Sequence, residues 1–235
     1  MPRLYAGTSG FAYDQWKPAF YPADLPARKF LEHYSRRLNS VEINYTFRRL
    51  PTAGTLANWV QLTPPEFVFA LKAHMRITHI LRLRNAAEFT EVFLRAIDPL
   101  RSARRLGPVL FQLPPQMRCD TALLADYLAL LPADLRFAFE FRHASWFQDE
   151  VYQLLGKHKV SLCAAESEKI ETPKVVTAGF VYSRLRKDSY SPEERAAIRA
   201  EAGNLLGQAK DLYVYFKHEE TPEGALYAEE LLRPA

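Results

Sequence analysis

Phe137-Ala138-Phe139-Glu140-Phe141-Arg142 alternates without a break. On an extended chain the three phenylalanines share one face, and Ala138, Glu140 and Arg142 share the other. Val41-Glu42-Ile43-Asn44-Tyr45 repeats the pattern, with Glu42 and Asn44 opposite Val41 and Ile43. A strand of an open parallel sheet is covered by helices on both faces and reads as a nearly continuous apolar run. In a closed barrel only the outer face meets helices, and the inner face can carry polar groups at its mouth. The alternation therefore selects a TIM-type (β/α)8 barrel over an open doubly wound sheet.

The rest of the chain supplies the remaining strands. Eight β-like runs are Arg3–Ser9, Ser40–Phe47, Phe67–Lys72, Pro108–Leu113, Arg136–Arg142, Val160–Ala165, Phe180–Leu185 and Leu212–Lys217. Most are separated by helical periodicity, as in 26–38 (Phe30, Leu31, Tyr34, Leu38) and 86–101 (Phe89, Val92, Phe93, Ile97, Leu100). Ser191-Pro192-Glu193-Glu194 opens a helix over 191–209: an N-cap serine, proline at the first position and acids in the first turn. Between runs six and seven, Glu166–Gly179 holds Pro173 and little periodicity, so that crossover is expected to lack a full helix. One domain over residues 1–235 accounts for the whole pattern.

Composition narrows the class. With 48% hydrophobic and 25% charged residues the chain is ordinary for a globular protein. No apolar run approaches the ~20 residues of a membrane-spanning helix, and the N-terminus carries no signal-peptide pattern. Cys119 and Cys163 are expected to stay reduced in a cytoplasmic setting. GxxxxGK[ST] and GxGxxG are both missing, which leaves P-loop and Rossmann readings unsupported. The net charge of +4 is unevenly placed: residues 1–118 carry 17 Lys and Arg against 8 Asp and Glu, and residues 119–235 carry 14 against 19. Clustered positive charge points to an anionic partner, a small molecule or a nucleic acid.

In a (β/α)8 barrel the functional groups sit at the C-terminal strand ends. Those ends supply Thr8 and Ser9; Glu42 and Asn44; Lys72 and His74; Gln112; Glu140, Arg142 and His143; Glu166; Arg184; and Lys217 and His218. Lys72, Arg142 and Arg184 suit a phosphate or carboxylate. Glu42 and Glu140 suit general acid and base work if their surroundings push their pKa values apart. Gln112 and Asn44 can donate to developing negative charge, and Thr8, Ser9 and His143 complete the binding set. A structural ion-pair network is the plain alternative for the charged members. A divalent metal on Glu42 and Glu140 is disfavoured by the adjacent cations, so no metal ligand is assigned and the cofactor is left open.

Between Lys72 and Arg105 lie eight cations and three acids. Arg76, Arg82 and Arg84 follow strand three beside the mouth, where a polyanion would cross. Arg101, Arg104 and Arg105 read as a solvated helix face. Tyr13, Trp16, Phe20 and Tyr21 crowd the first loop and read as a packed loop core before a base-stacking platform.

GTSGFAYDQWKPAFYP (7–22), SVEINYTF (40–47), FALKAHMRITH (69–79), LGPVLFQLPP (106–115), FEFRHASWF (139–147), YSRLR (182–186) and LYVYFKHEE (212–220) resemble, in order, the family called domain of unknown function 72 (YecE-like). The resemblance implies a TIM-type barrel over nearly the whole chain and no assigned activity. Its shared polar positions fall on Thr8, Ser9, Glu42, Asn44, Lys72, Gln112, Glu140, Arg142, His143 and Arg184. Two departures stand out: Arg186 replaces the final His of a YxRLH pattern, and strand eight ends in Lys217-His218-Glu219 where the family is Asn-rich. The functional expectation is an enzyme acting on a phosphate-containing substrate, nucleic acid included, with phosphoester hydrolysis as its reaction. The alternatives are a non-catalytic binding module for nucleic acid or an anionic metabolite, and a glycoside hydrolase using Glu42 and Glu140.

Overall fold

The computed structural model describes residues 2–166, 170, 172–208, 210–217 and 221–233. Eight strands, β1 (Leu4–Thr8), β2 (Ser40–Ile43), β3 (Val68–Lys72), β4 (Leu106–Gln112), β5 (Phe137–Glu140), β6 (Ser161–Ala165), β7 (Phe180–Leu185) and β8 (Asp211–Phe216), alternate with seven helices among the described residues. The helices are α1 (Phe30–Arg37), α2 (Ala53–Gln61), α3 (Ala87–Ser102), α4 (Thr121–Ala129), α5 (Asp149–Lys157), α6 (Pro192–Gly207) and α7 (Glu223–Leu232). All strand pairs are parallel, in the order β1-β8-β7-β6-β5-β4-β3-β2. This is a single TIM-like (β/α)8 domain. No helix occurs among the described residues between β6 and β7, in keeping with the weak periodicity there. No helix among them is long and apolar enough to cross a membrane.

Alternation divides the core as the sequence pattern requires. Outward side chains such as Val41, Phe69, Phe111, Phe137, Phe139 and Val214 pack under the helices in one large cluster. Inward side chains form a second, smaller one: Ala70, Leu110, Ala138, Cys163, Phe180, Tyr182, Tyr213 and Tyr215. Two alanines and a cysteine sit beside three tyrosines, so small and large residues share the narrow interior. Helix starts follow local chemistry. Ser191 caps α6, accepting from Glu194 N while Glu194 returns a bond to the Ser191 backbone.

Pairing runs around the barrel but leaves no regular ladder between β1 and β2, and side chains close that seam. The Asn39 amide accepts from Ala6 N at 2.9 Å and donates to Leu4 O at 2.8 Å, acting as a short piece of strand. One turn further on, the Tyr34 hydroxyl accepts from Thr8 N at 2.8 Å and donates to Ser40 O at 3.0 Å. Four backbone groups that would otherwise lack partners are thereby satisfied. Gly7 allows the approach, since a Cβ there would lie 2.0 Å from Ser40 O.

Two loop expectations met different outcomes. Trp16, Phe20 and Tyr21 are fully packed in the first loop, with Trp16 stacked on Tyr21 at 5.7 Å, so these rings are core. Arg105 corrects the solvated-face reading: it is buried, donating to Phe67 O at 2.6 Å and to Thr63 Oγ1. Arg104 explains the difference. Its φ of 59° turns the chain sharply after α3 and sends the next side chain inward. Arg101 remains exposed, paired with Asp134, and Arg104 is exposed.

A guanidinium between two carboxylates at the barrel mouth

Strand alternation brings Glu42, Glu140 and Arg184 inward in the top layer of the barrel, and all three are buried. Arg184 lies between the carboxylates. Its Nε and Nη2 donate to Glu42 at 3.0 and 2.9 Å, and its Nη1 donates to Glu140. The Tyr182 hydroxyl, two residues earlier on the same face of β7, adds a bond to Glu42 at 2.7 Å. Gln112, paired with Glu140 in the β4–β5 register, donates to that carboxylate at 2.8 Å. Its carbonyl accepts from Lys72 Nζ, also at 2.8 Å. The chain Lys72–Gln112–Glu140–Arg184–Glu42–Tyr182 thus crosses the barrel from β3 to β7.

Arg186 joins from the start of the loop after β7. It donates to Ser9 Oγ at 2.8 Å and approaches Glu42 at 3.4 Å. Glu166, beyond β6, holds the turn by accepting from Arg186 N at 2.7 Å and from the Tyr190 hydroxyl. Asn44 reaches Ser9 O at 3.4 Å, while its Oδ1 is buried without a partner, as is Arg186 Nε.

These contacts set the charge states. Burial pushes Glu42 upward, but Arg184 and Arg186 outweigh it and hold the carboxyl well below the usual range. Glu140 is lowered by the same balance. Arg184 keeps its charge, because the two carboxylates overcome its burial. Lys72 behaves differently. Burial, followed by the charge of Arg184, lowers it to about 8 against the opposing pull of Glu42 and Glu140. Two carboxylates and two guanidiniums balance, and Lys72 is the extra cation.

The remaining expected positions separate into those beside the cluster and those turned away. Thr8 bonds Gly10 O at 2.6 Å and the Tyr34 hydroxyl at 3.0 Å, so it fastens the seam. His143 caps the turn at Ala144–Trp146, its Nδ1 accepting from Ser145 N at 3.2 Å. His74 accepts from Arg76 N and packs on Phe89, with ring centroids 5.0 Å apart. Lys217 pairs with Asp188. His218 and Glu219 lie outside the described residues. Arg142 lies past the end of β5, exposed and with no ion pair among the described residues.

Three groups escaped the sequence reading: Tyr182, Phe47 and His79. Tyr182 could have been found from the inward period-two series Tyr182, Arg184, Arg186; the other two depend on loop geometry. One π-helical turn, Arg76–Ile80, follows β3 and presents His79 edge-on to the Phe47 ring at 5.0 Å. Lys72 Nζ lies 4.2 Å from the centre of that same ring. Burial lowers His79, and the charges of Lys72, Arg142 and Arg82 lower it further, which puts three cations around a neutral imidazole. Arg82, Leu83 and Asn85 all have positive φ, a run of strained positions bordering this group. Arg76 instead stacks on Phe89 at 4.8 Å and Arg84 pairs with Asp120, so neither extends the cationic strip. No group of three or more His, Cys, Asp or Glu among the described residues is gathered closely enough to hold a metal ion.

A parallel barrel with a buried carboxylate–guanidinium relay beneath a cationic rim defines the class: a (β/α)8 protein whose polar groups gather at the C-terminal mouth. The chain belongs to the family described as Protein of unknown function DUF72, matched over residues 5–235. A DUF72 family protein from Thermotoga maritima superposes with a TM-score of 0.86 at 26% identity, covering 97% of each chain. One from Enterococcus faecalis V583 gives 0.79 at 21%, covering 100% of this chain and 99% of its own, and supports the fold alone. The UPF0759 protein YunF of Bacillus subtilis is 29% identical over 157 residues, 64% of this chain and 54% of YunF. The match thus spans about half the length of that curated relative.

Proposed function

We propose that this protein is an enzyme whose barrel mouth binds a phosphate-bearing small molecule, with Lys72 as the titrating group next to it. The observation that carries the reading is the excess of positive charge at one place. Lys72, Arg82 and Arg142 all act on His79, and the two carboxylates of the cluster are already matched by Arg184 and Arg186. An anion is the partner such a rim lacks. Arg142 and Arg82 supply forks for the phosphate oxygens, and Lys72 is a point charge at the inner edge.

Glu42 and Glu140 fit fixed counter-charges better than a general acid and base. An acid needs a carboxyl raised toward neutral pH, and both are lowered. Phosphoester or glycoside hydrolysis through this pair therefore has weak support. Lys72, whose pKa of about 8 is near working pH, is the group at this edge that can change its protonation state. A small molecule is favoured over a nucleic-acid strand because Arg76 and Arg84 are engaged in local contacts.

Calorimetric titration with inorganic phosphate and glycerol phosphate tests the reading. Saturable binding is expected, weakened about tenfold by Arg142→Ala, since one charge-assisted hydrogen bond is worth roughly that factor. Absence of binding at millimolar ligand, or binding indifferent to both Arg142→Ala and Arg82→Ala, overturns it.

A further inference from the structure

The lysines of this chain differ in what their amines touch. Lys29, Lys174 and Lys187 sit in ion pairs with Glu32, Glu201 and Glu194. Lys72 instead bonds a neutral amide, Gln112 Oε1 at 2.8 Å, and lies over an aromatic face, that of Phe47 at 4.2 Å. No carboxylate among the described residues is within ion-pair distance of it, although Glu42 and Glu140 share its layer. Gln112 is itself held from the other side, because its amide nitrogen donates to Glu140. The glutamine carbonyl therefore cannot turn away from Lys72. In the neutral form one N–H stays on that carbonyl, which leaves the amine's other N–H and its lone pair without a carboxylate partner among the described residues.

We infer that Lys72 is a nucleophilic amine that captures the carbonyl carbon of its substrate as an iminium; the phosphate carried by that substrate rests on the reading above. In the first step the nitrogen lone pair forms a C–N bond as the carbonyl π bond breaks. A proton passes from nitrogen to oxygen, giving a carbinolamine. In the second, the C–O bond breaks as its oxygen takes a further proton, water leaves, and nitrogen shares its lone pair with carbon. His79 packs against the same Phe47 ring, with centroids 5.0 Å apart, and is assigned the relay of that proton from solvent. No oxidant, reductant or cofactor enters the balance. Burial and the nearby guanidinium of Arg184 favour the uncharged amine, the form the first step requires. The substrate class is a phosphorylated aldehyde or ketone of small size. Its phosphate would meet Arg142 and Arg82, and its carbonyl would meet Lys72.

Borohydride trapping tests this on the full chain, because hydride converts an iminium to a stable secondary amine at the captured lysine. The probes are dihydroxyacetone phosphate, dihydroxyacetone and pyruvate, and the readout is intact mass followed by peptide mapping. The expected result is one borohydride-dependent adduct on the peptide containing Lys72. It should form faster as pH rises through about 8, and be lost in both Lys72→Met and Lys72→Arg. Removing the probe's phosphate, or introducing Arg142→Ala, should slow labelling by the phosphorylated probe about tenfold. Equal labelling by dihydroxyacetone and its phosphate supports the Lys72 inference while refuting the phosphate anchor. Phosphate binding that depends on Arg142, with no adduct at Lys72 from any probe, overturns the inference and keeps the anchor. Adducts spread over surface lysines at the wild-type level in Lys72→Met overturn it as well. The wild-type peptide map needs no variant, so a substitution that fails to fold leaves the test intact.

Discussion

Replacing Arg184 with methionine removes the one group bonded to both buried carboxylates. Glu42 and Glu140 are 0% and 7% exposed at their side chains, and Arg184 is 7% exposed, so water cannot take the guanidinium's place without rearrangement. Deleting one partner of a buried ion pair costs about 3–5 kcal/mol. Here two carboxylates lose a partner, while Tyr182, Gln112 and Arg186 keep some of their bonds, so the upper end of that range, about 5 kcal/mol, is expected. For a domain of this size each kcal/mol moves the melting temperature by about 2–4 °C, giving a fall of about 10–20 °C at pH 7. The pH dependence separates this cause from a simple packing defect. In the native protein both carboxyls are lowered, so their stabilisation is complete above the ordinary carboxylate range and is lost as pH falls through their folded values. In Arg184→Met burial is no longer outweighed and the folded values rise above the unfolded ones. The penalty is then full at neutral pH and shrinks as acid protonates the carboxyls. Circular-dichroism melts at pH 7 and pH 5 read both effects, and adding Glu42→Gln and Glu140→Gln to Arg184→Met should recover most of the loss. A melting temperature within about 2 °C of wild type at pH 7, or a deficit that widens toward pH 5, would refute the argument.

Three other outcomes follow from particular contacts. Gly7→Ala should destabilise by about 1–3 kcal/mol in urea denaturation, because its Cβ would meet Ser40 O at 2.0 Å and the Tyr34 hydroxyl at 2.7 Å. Asn39→Ala should raise amide exchange at Ala6 and cost about 1–3 kcal/mol, whereas Tyr34→Phe should expose Thr8 N in the same way; unchanged exchange in both would show that the seam does not depend on these side chains. Lys72 is lowered to about 8 from 10.5, so its charged form opposes folding below about pH 8 and that opposition fades between about 8 and 10.5. Lys72→Met should therefore melt no lower than wild type at pH 7, with the difference narrowing by pH 10.

The barrel was legible because its evidence is local and periodic. Phe137–Arg142 and Val41–Tyr45 each declare one apolar and one polar face, and the Ser191 start of α6 rests on four consecutive residues. That no helix follows β6 among the described residues before β7 was visible for the same reason. Strand ends were less so: the run expected to reach Phe47 stops at Ile43, and the one expected to reach Arg142 stops at Glu140. The ends matter functionally, because Arg142 falls past the strand and leaves the cluster for the rim. The rim as a set was legible from strand order, but its pairing was not. Nothing in the spacing of Glu42, Glu140 and Arg184, more than forty residues apart, says that one guanidinium serves both acids. Tyr182 carries no signal beyond its place in the strand period, and His79 and Phe47 meet where a π-helical turn follows the end of β3.

That pairing changes where chemistry has to be sought. An arginine free at the mouth would be an anion ligand, and two glutamates free beside it would be an acid and a base. Once Arg184 is bonded to both, all three become a rigid, charge-matched floor, and a fixed floor gives orientation more than proton exchange. Its influence reaches the one amine tied to it indirectly. Glu140 holds Gln112, and Gln112 presents its carbonyl to Lys72. Arg184 adds positive charge that favours the neutral amine. Arg142 and Arg82 remain outside with no acidic partner among the described residues. On the proposed reading, the same network that removes the carboxylates as candidates for proton transfer is what prepares Lys72, and it leaves the outer arginines to recognise an anion.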